Sequence, residues 1–191
     1  MNNIFRYFAN RLIKTYIYLF KGILMGPHVK FNGFPLILKH PKASIYIGKN
    51  TLINSSNHGY HINMHSKSKI YADKPFANIS IGDNCRIHGT CIHAYKEISI
   101  GKNCLIAANS QIIDGNGHLL SFDRPENRVN TTDSGKPIII SDNVWIGANC
   151  FVLGGATIGR GTIIAANSLV IGNIPSNCIF GGNPAKLIKQ F

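Results

Sequence analysis

Acidic residues are what this 191-residue sequence has least of, with eight Asp and Glu against twenty Lys and Arg and a formal net charge of +12. No acid occurs before Asp73. Such a charge favours a polyanionic partner, either an anionic lipid surface or a phosphate-rich substrate. Nucleic acid is set aside, because the sequence has no zinc-finger spacing, no basic helix and no aromatic-rich binding stretch. A long apolar run is also missing: in the apolar N-terminal segment the uncharged stretch Thr15 to Phe20 is far below the roughly 20 residues of a membrane span. No small-residue cleavage site follows that segment, so the expected location is cytoplasmic. Cysteine is sparse and odd in number (Cys85, Cys91, Cys104, Cys150, Cys178), which argues against a disulfide framework.

What is present is a six-residue rhythm. An aliphatic residue recurs at Ile140, Ile146, Val152, Ile158, Ile164 and Val170, and a small or β-branched residue follows four places on at Val144, Cys150, Ala156, Thr162 and Ser168. Neither an α-helix nor a flat strand has that period. It belongs to a parallel β-helix, in which each hexamer forms one side of a coil and turns its aliphatic residue inward. All the cysteines but Cys178 fall on the small position, where Cys acts as a compact reduced hydrophobe. An Ile-Gly-x-Asn corner recurs at Gly48-Lys49-Asn50, Ile81–Asn84, Ile100–Asn103 and Ile146–Asn149, since Gly and Asn tolerate a left-handed backbone. The inward series runs Ile81, Ile87, His93, then Ile100, Ile106, Ile112, and resumes at Ile140.

The expected organisation has three parts. Residues 1–27 hold an amphipathic helix, with Ile4, Phe8, Leu12, Tyr16, Leu19 and Ile23 at helical spacing among Arg6, Lys14 and Lys21. Gly22 and Gly26-Pro27 end it. Such a helix covers the open end of the coil, or lies on an anionic membrane surface, or does both. Residues 28–182 form the β-helix, interrupted by loops at 54–78 and 113–139, and interruptions of a regular solenoid are where function tends to sit. Residues 183–191 form a short helix opened by Pro184, with Lys186 and Lys189 one turn apart and suited to an anion.

Two histidine patterns carry chemistry. The second loop opens with Asp114-Gly115-Asn116-Gly117-His118, where the glycines turn the chain off the coil and hold His118 beside the wall. A histidine there is suited to general-base work, and Asp114 is the nearest carboxylate in sequence to fix its tautomer. The plainer alternative is a solvated loop histidine. His88 and His93 flank Gly89-Thr90-Cys91-Ile92 and can pair as zinc ligands, with His58, His61 or His65 as a third. The plainer alternative there is one packed and one surface histidine.

Together these residues resemble the hexapeptide-repeat acyltransferases, which are all-β, left-handed parallel β-helix proteins. The likeness is to the maltose/galactoside acetyltransferase type and to the sugar O-acetyltransferases of bacterial surface-polysaccharide synthesis. It spans roughly residues 28–191 and rests on Val144-Trp145-Ile146-Gly147-Ala148, Gly155-Ala156-Thr157-Ile158-Gly159, Ala165-Ala166-Asn167-Ser168 and the Gly-Gly-Asn-Pro-Ala-Lys ending. The resemblance implies His118 as catalytic base, with Asp114 at an acidic position of the loop. It implies acetyl-CoA as cosubstrate, no metal, and a homotrimer with each site built from two chains. Backbone groups at Ala148, Ala166, Ile171 and Gly172 would hold the pantetheine arm, Trp145 would border it, and Lys186 and Lys189 would face its phosphates. The implied reaction is acetyl transfer to a sugar or glycan hydroxyl at the cytoplasmic face. Two alternatives remain open: N-acylation of a nucleotide-linked amino sugar, and a zinc enzyme like the γ-type carbonic anhydrases. The loop also departs from related ones in carrying Asn116-Gly117 where they often place an acid or an aromatic before the histidine.

Overall fold

The computed structural model describes residues 3–191, apart from the side chains of residues 3–7, 9 and 20. The helical pattern at Ile4 and Arg6 therefore lies outside the described side chains. After a helix (Asn3–Lys21) the chain winds as a left-handed parallel β-helix of three walls, sheets of seven, eight and six strands, with consecutive coils pairing in parallel. The aliphatic residues stack in register. Ile81 pairs with Ile100 and Ile100 with Ile140 in the first wall; Ile87 pairs with Ile106 and Ile106 with Ile146 in the second; Ile92 pairs with Ile112 and Ile112 with Val152 in the third. All nine are buried. Each such side chain contributes about 1.5–3 kcal/mol on burial, so a long stack outweighs the ordering of many short strands.

The corners divide their labour between the two residues the sequence singles out. Asn50, Asn84, Asn103 and Asn143 hold φ near +60°, and the Nδ2 of each of the first three donates to the Oδ1 of the next along the stack. The preceding glycines do not need positive φ. They are required by closeness: a Cβ on Gly82 would sit 2.6 Å from Gly101 backbone atoms, and one on Gly147 2.6 Å from the Ala166 nitrogen.

Several expectations are corrected. His93 faces outward, and Ile92 takes the core position. The corner at Gly89 (φ +48°) closes one residue early, with the Thr90 hydroxyl turned in to donate to the His88 and Ala107 carbonyls. Cys91 is thereby rotated outward. Cys178, by contrast, is buried under the Pro175 carbonyl, at the small position of the last coil. The first loop is shorter than 54–78, because Lys69–Ala72 is a regular strand between Leu36–Lys39 and Cys91–Ala94.

The helix is there, but its apolar stripe is not its contact face. Ile13 and Ile17 are buried against the first coil, while Phe8, Leu12 and Leu19 are exposed. The Asn10 Oδ1 accepts the Phe31 N–H, an edge donor that the first coil leaves unpaired. Gly22 (φ +58°) closes the helix by donating to the Tyr18 carbonyl, as expected of a left-handed cap. At the other end, residues 183–191 do not form a helix. A turn at 182–185 reverses the chain, and Lys186–Gln190 pairs antiparallel with Cys178–Gly181. Pairing satisfies the last edge of the second wall, which a helix would leave open.

Candidate active site in the second loop

Strand Gln111–Ile113 runs straight into the excursion, and Ile138–Ile140 resumes the coil. The loop root is fastened by Asp114. Its side chain is buried, with Oδ1 accepting the Tyr95 N–H at 2.6 Å and Oδ2 accepting those of Lys96 at 2.8 Å and Glu97 at 2.7 Å. Its carbonyl accepts the Lys136 N–H at 2.7 Å, which ties the outgoing limb to the returning one. Burial pushes this carboxyl above the usual carboxylate range, against the pull of the three backbone donors.

His118 stands exposed on the outgoing limb, and its orienting partner is not Asp114. Its Nδ1 lies 3.0 Å from the Thr131 carbonyl oxygen. A carbonyl only accepts, so Nδ1 carries the proton and Nε2 keeps a free lone pair. Thr131 also binds the neighbouring chain, its Oγ1 accepting from the Leu119 N–H and donating to the Arg128 carbonyl. This corrects the role read for Asp114: its oxygens are committed to the Tyr95–Glu97 backbone, so it positions the loop rather than the imidazole.

Sequence spacing missed Thr131 and Asp133. Thr131 acts through its main chain, thirteen residues from His118, and no side-chain pattern marks it. Asp133 Oδ2 accepts the Asn116 N–H at 2.5 Å, while its Oδ1 is buried without a hydrogen-bond partner among the described residues. His118, Asp133, Asn116, Lys136, Leu153 and Ile171 are among the residues lining one cleft of about 390 Å³.

The other implied site residues are only partly gathered. Ile171 lines the His118 cleft, and beside it Gly172 (φ +69°) has open space where a Cβ would project. Ala148 and Ala166 stack at the corner between the second and third walls, where Asn167 donates to the Ala148 carbonyl. Trp145 is half exposed on the second wall, between Leu105 and Ile163. Lys186 and Lys189 are exposed on the terminal strand, and Lys189 Nζ lies 4.5 Å from the Phe191 ring centroid. A bulge between them sets Lys186 opposite Gly181 and Lys189 opposite Ile179, two apart on the partner strand, so the two lysines share one face of a strand rather than one side of the expected helix.

His88 and His93 are not brought together. His88 sits on the second wall, stacked on Tyr60 at 4.4 Å with Nδ1 3.1 Å from the Asn54 amide nitrogen. His93 sits on the third wall, stacked on Tyr71 at 4.7 Å and 3.3 Å from Asp73 Oδ2. Among the described residues no three His, Cys, Asp or Glu side chains converge as a metal site. Nor is any described helix long and apolar enough to cross a membrane.

Comparison with known proteins agrees with the six-residue repeat. Residues 137–172 match the bacterial transferase hexapeptide (six repeats), and residues 78–114 match the hexapeptide repeat of succinyl-transferase. A Saccharomyces cerevisiae protein named as an acetyltransferase is 38% identical over 115 residues, 60% of this chain and 57% of its own. An Escherichia coli protein named as a lipopolysaccharide biosynthesis O-acetyl transferase, WbbJ, is 34% identical over 119 residues, 59% of this chain and 61% of its own. The chain thus spans a little over half the length of these relatives. The solved structure of AntD, an N-acyltransferase from Bacillus cereus in complex with dTDP and 3-hydroxybutyryl-CoA, superposes with a TM-score of 0.66 over 95% of this chain and 87% of that one. At 19% identity that likeness speaks for the fold alone. Repeat, coil and relatives agree, and the chain carries the hexapeptide repeats of bacterial transferases.

Proposed function

We propose that this protein transfers an acetyl group from acetyl-CoA to a sugar hydroxyl, with His118 as general base, in the synthesis of a bacterial surface polysaccharide. The observation that carries the reading is the His118 Nδ1 contact with the Thr131 carbonyl, which leaves Nε2 as an acceptor in a cleft. His118 takes the hydroxyl proton as the sugar oxygen bonds to the thioester carbon. The carbon–sulfur bond breaks, and the same imidazolium returns the proton to the departing thiolate. The developing oxyanion needs a donor, most economically a backbone N–H of a facing coil. No cysteine intermediate is required, since four of the five thiols are buried.

The surface around the cleft suits the cosubstrate. Ile171 and Gly172 offer an exposed edge beside His118, and the Ala148 and Ala166 corner offers backbone groups across the same wall. Trp145 supplies an exposed aromatic face. In this reading the protein is a cytoplasmic homotrimer whose sites form between chains, Lys186 and Lys189 face the nucleotide phosphates from one face of the terminal strand, and Asp114 serves by holding the loop. A hydroxyl acceptor is favoured by the similarity to WbbJ, by name an O-acetyl transferase. The second reading, N-acylation of a nucleotide-linked amino sugar, is favoured by the basic surface. Thiol release from acetyl-CoA against a panel of sugars, amino sugars and nucleotide sugars separates the two. Release with neutral sugars or glycans supports the first. Release confined to amino sugars overturns it in favour of the second.

A further inference from the structure

The N-terminal helix presents more apolar surface than capping uses. Leu12 and Leu19, seven residues apart and so on one side, are 69% and 65% exposed and lie well round the helix from the buried Ile13 and Ile17. Leu24, Phe34 and Leu36 continue this exposed surface at the same end of the coil. Further round the helix, Arg11, Lys14, His28 and Lys30 line one recess with Asn10, of about 370 Å³, with Arg11 the member nearest the leucines. Ten Lys and Arg and no acid occur in residues 1–72, and no Asp or Glu is among the described residues that line the recess. Among the described residues the ion pairs are Lys49–Asp83 and His93–Asp73, and neither includes a residue of the recess. Burial and the Lys30 charge hold the Lys14 ammonium below its ordinary value, the mark of cations gathered without an anion.

We propose that the helix lies in the plane of an anionic bilayer surface, with Leu12 and Leu19 set into the headgroup boundary and the flanking Arg11–Lys14–His28–Lys30 recess, Arg11 foremost, drawn to the lipid phosphates by its charge. Charge selects this occupant. A second copy would bring two equally basic ends together, whereas an anionic membrane meets both the apolar stripe and the uncompensated cations. With no described helix able to span, the contact is peripheral. It does not depend on the acyl-transfer reading, and vesicle binding is measured without substrate.

The test is flotation of the full chain with vesicles of phosphatidylcholine alone and of phosphatidylcholine with phosphatidylglycerol. Binding to the anionic vesicles that weakens with salt is expected. Arg11→Gln and Lys14→Gln should each lower affinity about fivefold. The double change Leu12→Asn with Leu19→Asn should lower it at least about tenfold, from two apolar side chains withdrawn from the boundary. These side chains stand outside the core, so unfolding temperature and acetyl transfer to a soluble acceptor should stay unchanged. Absence of flotation with anionic vesicles overturns the proposal, as does equal binding to neutral ones. So does a leucine pair whose replacement alters the mass of the assembly while leaving flotation untouched, which would make the face a contact between copies.

Discussion

At the residue scale the site turns on two acceptors for backbone and imidazole N–H groups. The Thr131 carbonyl fixes the His118 tautomer, and the Asp114 carboxylate fixes the loop that carries it. The placing of His118 on a loop that leaves the wall was legible in the sequence, because Gly-Asn-Gly after an inward isoleucine announces a turn. Its partner was not, since a main-chain carbonyl thirteen residues away has no signature. Asp114→Ala strips one carboxylate from three partly buried backbone donors, at about 1 kcal/mol for each donor left unmet. We expect unfolding to fall by at least about 5 °C in calorimetry, because about 2–4 °C accompanies each kcal/mol at this chain length. His88 gives a pH prediction. Burial, then the charges of Arg86 and His61, hold its pKa down to about 4. An unfolded histidine protonates near 6.5, so between those values the unfolded chain binds the extra proton and stability falls as pH drops. A proton NMR titration should find the His88 ring neutral at pH 5.5, and the fall in unfolding temperature from pH 6.5 to 4 should be shallower in His88→Gln.

At the element scale, hydrophobic period was a sound guide to the wall and a poor one to its ends. The six-residue repeat placed Ile81, Ile87, Ile100, Ile106 and Ile112 in the core, where they are. It missed by one at His93 because a corner closed early, and a count by sixes cannot register a five-residue side. The helix was legible as a helix, but its contact face was not. Periodicity finds a stripe without saying whether protein or solvent meets it, and here the coil takes Ile13 and Ile17 instead. Residues 183–191 failed for a different reason: a local helix signal yielded to the unpaired edge of the last coil. The corner glycines give the element-level test. A Cβ on Gly101 would stand 2.6 Å from the Asp142 nitrogen and 2.7 Å from the Ser141 carbonyl carbon, both backbone atoms that cannot swing aside. Gly101→Ala should therefore lower unfolding temperature by more than Ala107→Gly, a change at a partly exposed position.

At the scale of the whole molecule, the long stacked core makes the β-helix a rigid rod, and the 113–139 excursion is its large departure beside the cleft. The exposed apolar residues along the third wall, Phe151 and Ile171 among them, are suited to burial between chains. Light scattering should therefore give three times the 21.0 kDa chain mass. A monomer at working concentration would remove the proposed two-chain site. The decisive measurement remains chemical: thiol release from acetyl-CoA with an active acceptor, compared between the natural chain and His118→Ala. Loss of a positioned base typically costs about 10²–10⁴-fold in rate. We expect a fall of that size with unfolding temperature and assembly mass unchanged, since the His118 side chain is exposed and outside the core. A His118→Ala protein that releases thiol as fast as the natural chain would contradict the assignment of His118 as the base.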